Sequence, residues 1–232
     1  MPVNRVRLTS PAGAIIMLCF AAFAISACGG GGASRKRDAD GNIVPTLAEQ
    51  DPTGTLYAGS IGKAARGECD ERTLDVLTCF AYRGHGYEGA QTALGQCLIA
   101  TGDRAEGLEW VRRAANTGWP DAQKLMAMLL IDDAAPEQDV VQAAKWAKLY
   151  GRNPSLLSLG VVPDRSVAEA MAGKISPEQM ALADGQVQAW RPVYWTPNTA
   201  IDESIKKSCQ VEGRRPAPRR QDIPIMTAPL SN

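Results

Sequence analysis

The amino-acid sequence predicts an all-α fold: a short α-solenoid of two to three helix pairs with C-terminal capping helices, flanked by a disordered tether and a disordered tail. Residues 56–151 are rich in Ala and Leu, and their apolar positions recur at helical spacing. The same stretch repeats itself at an offset of 32 to 36 residues, a period typical of stacked helix pairs. Capping residues also stand at several predicted helix starts.

Residues 1–27 have the pattern of an export signal. Arg5 and Arg7 form a short basic start, and residues 12–27, sixteen in number (27 − 12 + 1), are apolar or small throughout. A membrane-spanning helix needs roughly 20 apolar residues. The shorter run therefore favours a signal peptide that is removed from the mature protein.

The sequence Ile25-Ser26-Ala27-Cys28 resembles the lipobox of bacterial lipoproteins. That resemblance implies that the Cys28 thiol receives a diacylglyceryl group and that a peptidase cuts before it; an ordinary secretory signal with a chance cysteine is the alternative. Gly29 after the cysteine resembles the outer-membrane sorting signature. We therefore expect a lipid anchor on the periplasmic face of a bacterial membrane, the outer membrane being favoured, with residues 28–55 as a flexible tether.

Charge and length limit the partners. Removal of residues 1–27 leaves 205 residues (232 − 27) and a net charge of 23 − 25 = −2, since only Arg5 and Arg7 are lost. No basic excess points to nucleic acid. Two acyl chains hold a protein on a bilayer without a spanning helix.

The repeat has two halves. The segment 86–91 (GYEGAQ) corresponds to 118–123 (GWPDAQ), and the second helix corresponds as 107–110 to 143–146. Gly118 between two helical runs is expected to end one helix, and Pro120 to begin the next. Two further helix starts carry capping pairs, namely Asp103 with Glu106 and Asp139 with Gln142.

This unit resembles a known family. Its residues run Ala90-x-x-x-Leu94-Gly95, then Gly107-x-x-Trp110-Val111-x-Arg113-Ala114-Ala115-x-x-Gly118, with Asp121-Ala122-Gln123 opening the next unit. The pattern resembles the Sel1-like repeat, a relative of the tetratricopeptide repeat, over about residues 56–151. The resemblance implies two helices per unit, places Trp110 and Trp146 in the core, and allows a third unit whose second helix lies at about 74–82.

The C-terminal region, residues 152–212, is predicted to cap the stack. Capping boxes begin at Ser166 (with Glu169) and at Ser176 (with Gln179, and Pro177 at the first helical position). Residues 175–190 resemble the closing helix of Sel1-like proteins, and 199–209 could form one more helix. Residues 213–232 contain four prolines, which predicts a disordered tail.

Four cysteines remain once Cys19 is cleaved away and Cys28 is acylated: Cys69, Cys79, Cys97 and Cys209. In an oxidising compartment they can pair in three ways. No C-x-x-C spacing occurs and His85 is the single histidine, so a zinc site is not expected.

Helix geometry favours one pairing. If residues 74–83 and 87–101 form an antiparallel pair, Cys79 is level with position 91, and Cys97 lies about 9 Å further along the axis. Added to an interaxial separation of roughly 8–10 Å, this exceeds the span of a disulfide. Cys69 precedes the first helix and can fold towards the far end of the pair, where Cys97 lies. We therefore favour Cys69–Cys97, which leaves Cys79 to meet Cys209 if the tail folds back; a turn placed elsewhere would instead allow Cys79–Cys97.

Residues for catalysis are not evident. His85 lies between two glycines, where it more simply helps to end a helix, and no nucleophile has an adjacent base. No metal site and no cofactor are expected. Among the aromatic residues, Trp119 opens a helix at a loop, and Trp190 and Trp195 follow the last clear helix. These three are the candidates for binding a partner.

Three functions are compatible with the sequence. The first is a non-catalytic scaffold or adaptor that binds an envelope protein or peptide on the surface of its helical repeats. The second is a cell-wall-active enzyme or penicillin-binding module, as described for cysteine-rich Sel1-like proteins with a disulfide in each repeat. Cys97 has no counterpart at Leu129, which departs from that pattern. The third is a purely structural envelope lipoprotein.

Replacing the acyl acceptor tests the anchor. Because the Cys28 thiol is the proposed site of acylation, Cys28→Ala is expected to leave an uncleaved or soluble protein. Fractionation of the cell envelope, with the size of the protein followed on a gel, measures both outcomes. Normal processing and membrane attachment of this variant would contradict the lipoprotein assignment.

Overall fold

The computed structural model describes residues 38–40, 44 and 46–211. The chain divides into two units, residues 1–44 and 45–232. In the first unit the described part is a turn in which the Asp40 N–H donates to the Asp38 side chain. The predicted signal peptide, Cys28, half of the tether and the tail at 213–232 lie outside the described residues. The second unit carries the fold.

The described part of the second unit is all-α and contains no strand. Its helices are α1 (Leu47–Gln50), α2 (Pro52–Ala65), α3 (Glu71–Ala81), α4 (Glu88–Thr101), α5 (Arg104–Asn116), α6 (Pro120–Ile131), α7 (Val140–Gly151), α8 (Pro154–Ser158), α9 (Ser166–Met171), α10 (Pro177–Ala189) and α11 (Glu203–Ser208). Three helix pairs follow one another, α2/α3, α4/α5 and α6/α7. Each helix packs on the next, and α4 contacts both α2 and α6. The all-α fold is confirmed, and its packing is that of a short solenoid.

Helix α2 begins earlier than the sequence suggested. The sequence predicts a tether that extends to residue 55, because residues 33 to about 54 are polar and show little apolar periodicity. Instead Asp51 caps the helix by accepting the Gly54 N–H, and Pro52 occupies the first turn, where a missing N–H costs nothing. The first helix pair is thus complete.

Glycines set the closest approach in the stack. A Cβ atom at Gly95 of α4 would lie 2.6 Å from the Gly107 carbonyl oxygen, and one at Gly107 of α5 would lie 2.7 Å from the Gly95 carbonyl oxygen. The two backbones are therefore in direct contact. Only residues without a Cβ permit this spacing.

Two apolar clusters fill the interior, and α5 contributes to both. Trp110 belongs to the cluster formed with α2, α3 and α4, and Val111 to the one shared by α6, α7 and the capping helices. Trp110 and Trp146 are almost fully buried. The expectation that both pack in the core is confirmed.

Not every predicted cap forms. Ser176 and Gln179 make the reciprocal capping box before α10, and Gly118, in a left-handed conformation, precedes Trp119 and α6. Asp103 makes no side-chain cap at α5, and the Glu106 side chain accepts from the Trp110 indole N–H at 3.2 Å. The prediction of a reciprocal box there is wrong.

The other two capping predictions also need correction. Ser166 lies inside α9 rather than capping it, and Asp164 accepts the Ser166 N–H. Asp139 does cap α7, but the Gln142 side chain donates to Gln186 of α10 instead of reciprocating. The Gln142 side chain thus contacts a neighbouring helix, which the local pattern does not reveal.

The C-terminal part returns to the start of the stack. Helix α10 packs on α7, whereas α11 packs on α3. Residues 190–202, here called the return segment, connect these two helices and contain no helix. The predicted helix at 199–209 is confined to Glu203–Ser208. The stack is thus capped at its last pair and fastened at its first.

The contact between α4 and α5 can be tested with a matched control. We expect Gly95→Ala to destabilise the protein by about 1–3 kcal/mol or more, because the added methyl group meets backbone that cannot move aside. Gly185→Ala in α10 places its methyl group in open space and should stabilise by roughly 0.5–1 kcal/mol. Urea unfolding followed by circular dichroism measures both. Equal stability of the two variants would contradict direct backbone contact.

Candidate partner-binding site

Two of the three candidate tryptophans, Trp190 and Trp195, lie in the return segment. Trp195 packs edge-on against Trp110 and Tyr82, with ring centroids 5.2 and 5.7 Å apart. The Arg113 guanidinium lies over both indoles, 4.4 Å from Trp110 and 4.7 Å from Trp195. Trp195 therefore extends the core outward.

Further contacts fix the path of the return segment. The Val193 N–H donates to the Asn116 carbonyl at the end of α5, 2.8 Å away. Trp190 is half-buried, and its ring lies 3.6 Å from the position of a Cβ at Gly118. The segment thus crosses the turn between α5 and α6 before it reaches α3. Trp190 and Trp195 contribute to this closure.

Two disulfides fasten the first helix pair. Cys69 before α3 bonds to Cys97 of α4, with Cα atoms 5.3 Å apart, and Cys79 of α3 bonds to Cys209 after α11, with Cα atoms 5.8 Å apart. This is the pairing favoured by the helix geometry. The second bond joins residues 130 apart in the sequence, so it closes the return segment onto the first pair.

Trp119 remains exposed. Its side chain is 37% accessible, and it lies beside the first turn of α4, where its ring is 3.6 Å from the position of a Cβ at Gly89. Tyr57 of α2 approaches the same point, its hydroxyl 2.8 Å from that position. Burial raises the pKa of the Tyr57 phenol. Two aromatic rings thus flank one turn.

A histidine and a buried carboxylate occupy the other side of that turn. His85 Nδ1 is 2.6 Å from Glu88 Oε1, and the Gly86 N–H donates to both oxygens of the same carboxylate. Glu88 is buried, whereas His85 is exposed. Gly84 and Gly86 have positive φ angles of 81° and 95°, so the chain turns sharply before α4.

Tyr194 of the return segment completes the surface. Its ring centroid is 4.3 Å from that of His85, and the tyrosine side chain is exposed. We call the set Tyr57, His85, Glu88, Trp119 and Tyr194 the aromatic site. Sequence analysis selected Trp119 and noted His85 only as a turn residue. Glu88 is joined to His85 locally, three residues along the chain. Tyr57 and Tyr194 come from distant parts of the sequence, and no local pattern signals their presence at the site.

The chemistry of the aromatic site suits recognition. Exposed Trp and Tyr rings provide large apolar area together with N–H and O–H donors, and such residues dominate the energetics of protein interfaces. The His85–Glu88 pair adds a polar centre. In the part of the chain that the structure describes, no group of three or more His, Cys, Asp or Glu side chains has the arrangement of a metal site.

Two further findings concern membrane spans and relatives. Across the described residues, none of the helices combines the length and apolarity needed to cross a bilayer. No family model, curated protein sequence or solved structure matches the chain.

Substitution separates the packing tryptophan from the exposed one. Truncation of a buried Trp costs roughly 3–5 kcal/mol, so Trp195→Ala, half-buried against Trp110, should cost about 2 kcal/mol. Trp119→Ala should cost less than about 1 kcal/mol, as is typical of exposed positions. Thermal and urea unfolding give both values. The reverse order would mean that Trp119 is a structural residue.

Proposed function

We propose that this chain is a bacterial envelope lipoprotein, anchored through acylated Cys28, and that its Sel1-like helix pairs act as a non-catalytic scaffold for an envelope protein or peptide. The periplasmic face of the outer membrane is the proposed location. The aromatic site is the proposed contact surface. Two independent features support this proposal: the disulfides bear on the compartment, and the aromatic site bears on binding.

The disulfides support the compartment. All four cysteines in the described residues are paired, and such bonds persist in oxidising compartments such as the bacterial periplasm. An export signal at residues 1–27 would deliver the chain there. The agreement between the two features, one from the N-terminal sequence and one from the fold, is the observation that carries the proposal.

The aromatic site supports binding. Trp119 and Tyr194 expose their rings although the return segment buries other aromatic residues nearby, and Glu88 is held in place by His85 and the Gly86 backbone. A surface that is rigid and aromatic loses little conformational freedom when a partner binds. Stacked helix pairs offer such surfaces to proteins or extended peptides.

Site-specific photo-crosslinking in living cells tests the scaffold. A photoreactive amino acid at Trp119 or Tyr194 should produce a discrete adduct with an envelope protein. The same amino acid at Leu182 is the matched control, since this residue is exposed on α10, which contributes no residue to the aromatic site, and it should give no adduct of that size.

A second variant assigns the adduct to the site. His85→Ala, expected to leave the fold intact because the side chain is exposed, should reduce the yield of the Tyr194 adduct. Crosslinking that is absent at both aromatic positions, or equal at Leu182, would contradict the proposed contact surface. Mass spectrometry of the adduct identifies the partner.

A further inference from the structure

The end of α8 and the connection to α9 expose a dense group of apolar side chains. Leu157, Leu159, Val161 and Val162 are 59, 77, 46 and 80% accessible. We call residues 157–162 the apolar loop. Single exposed apolar residues are ordinary, but a contiguous exposed group marks a contact with a partner or with lipid. The aromatic site does not include this loop.

The base of the loop is firmly held. Asn153 is buried and donates to the Gly118 carbonyl and to Gln123, both at 2.8 Å. Leu156 packs on the apolar cluster of α6 and α7. On the far side, the Asp164 N–H donates to the Tyr150 hydroxyl at 2.9 Å. The exposed side chains are therefore carried on a fixed support.

The backbone of the loop makes its own hydrogen bonds. The N–H groups of Leu159 and Val161 donate to the Leu156 carbonyl, and that of Gly160 donates to the Leu157 carbonyl, at 3.2, 2.9 and 3.1 Å. Backbone groups without partners are costly to move into hydrocarbon. A loop that satisfies these donors internally can leave water at a lower cost.

Charge around the loop favours an anionic surface. Residues 153–163 contain no charged side chain, and exposed Arg152 and Arg165 stand at the two ends. The adjacent carboxylate, Asp164, is paired with Lys124 at 2.5 Å, and this hydrogen bond contributes most to lowering the Asp164 pKa to about 2. Apolar side chains between cationic ones are the composition of segments that lie in the bilayer interface.

We propose that the apolar loop inserts into the interface of a bilayer containing anionic phospholipid, as a second membrane contact in addition to the lipid on Cys28. The inference rests on the proposed function in that the anchor brings the protein to a bilayer. The contact itself needs no acyl chain. Two attachments would fix the orientation of the aromatic site relative to the membrane, because the loop is rigidly joined to α6 and α7.

Vesicle flotation of the full mature chain without its lipid isolates this contact. Residues 28–232 carrying Cys28→Ser, exported by an ordinary secretory signal, are mixed with vesicles of phosphatidylethanolamine and phosphatidylglycerol (3:1) or of phosphatidylcholine alone. We expect flotation with the anionic vesicles and much less with the neutral ones. Arg152→Gln combined with Arg165→Gln should reduce this preference several-fold.

A matched pair of double variants tests the loop itself. Leu159→Ser with Val162→Ser should weaken binding about tenfold or more, because two apolar side chains no longer leave water. Leu182→Ser with Val193→Ser is the control: both residues are 63% accessible but lie outside the loop, and binding should be unchanged. Equal melting temperatures show that all variants fold.

Three results would overturn the inference: no flotation of the unlipidated chain, equal loss in both double variants, or a dimer in analytical ultracentrifugation that only the loop variant abolishes. The last would assign the loop to a second copy of the chain. Failure of acylation at Cys28, measured separately, would remove the proposed anchor without affecting vesicle binding by the loop.

Discussion

The structure depends on the closure of a short stack of helices. Three helix pairs leave apolar surface at each end, and a stack of this kind needs caps to remain folded in water. Helix α10 covers the last pair. The return segment then passes α5, where Trp195 covers Trp110, and brings the chain back to the first pair, where Cys209 bonds to Cys79. The same chain therefore closes both ends.

This closure also builds the candidate site. Tyr194 reaches His85 because the residues on either side of it are fixed: the Val193 N–H by the Asn116 carbonyl, and the Trp195 ring by Trp110 and Tyr82. The turn before α4 is shaped by two glycines and by Glu88. Stability and recognition thus share one segment, and a change that loosened the return segment would also separate Tyr194 from His85.

Much of the fold follows from local sequence signals. The period of 32 to 36 residues predicted the paired helices, and the small residues Gly95 and Gly107 in the repeat pattern mark the place where α4 and α5 touch. Helix geometry argued against a Cys79–Cys97 bond, since a rise of 1.5 Å per residue places Cys97 out of reach of Cys79, and the structure has Cys69–Cys97 and Cys79–Cys209. Gln91 and Gln123 occupy equivalent positions of the repeat, 32 residues apart, and both are buried. Gln91 donates to the Ala81 and Gly84 carbonyls, whereas Gln123 accepts from Asn153. The repeat pattern included both residues but did not predict these hydrogen bonds.

Other features depend on contacts between distant residues. The path of residues 190–202 is set by contacts with the end of α5 and with the turn that follows α3. The sequence of the segment itself does not predict these contacts. The exposure of the apolar loop becomes visible only in the structure, where Leu156 packs on the apolar cluster and its neighbours do not. Hydrophobic periodicity identifies core positions in regular helices, and it gives no such guidance in short irregular segments.

Peptide mapping of the unreduced, exported protein by mass spectrometry tests the closure most directly. The account predicts two crosslinked species, one joining Cys69 to Cys97 and one joining Cys79 to Cys209, with no free thiol among the four. A Cys79–Cys97 crosslink, or a Cys209 that remains free in the folded protein, would contradict the return of the chain to the first helix pair.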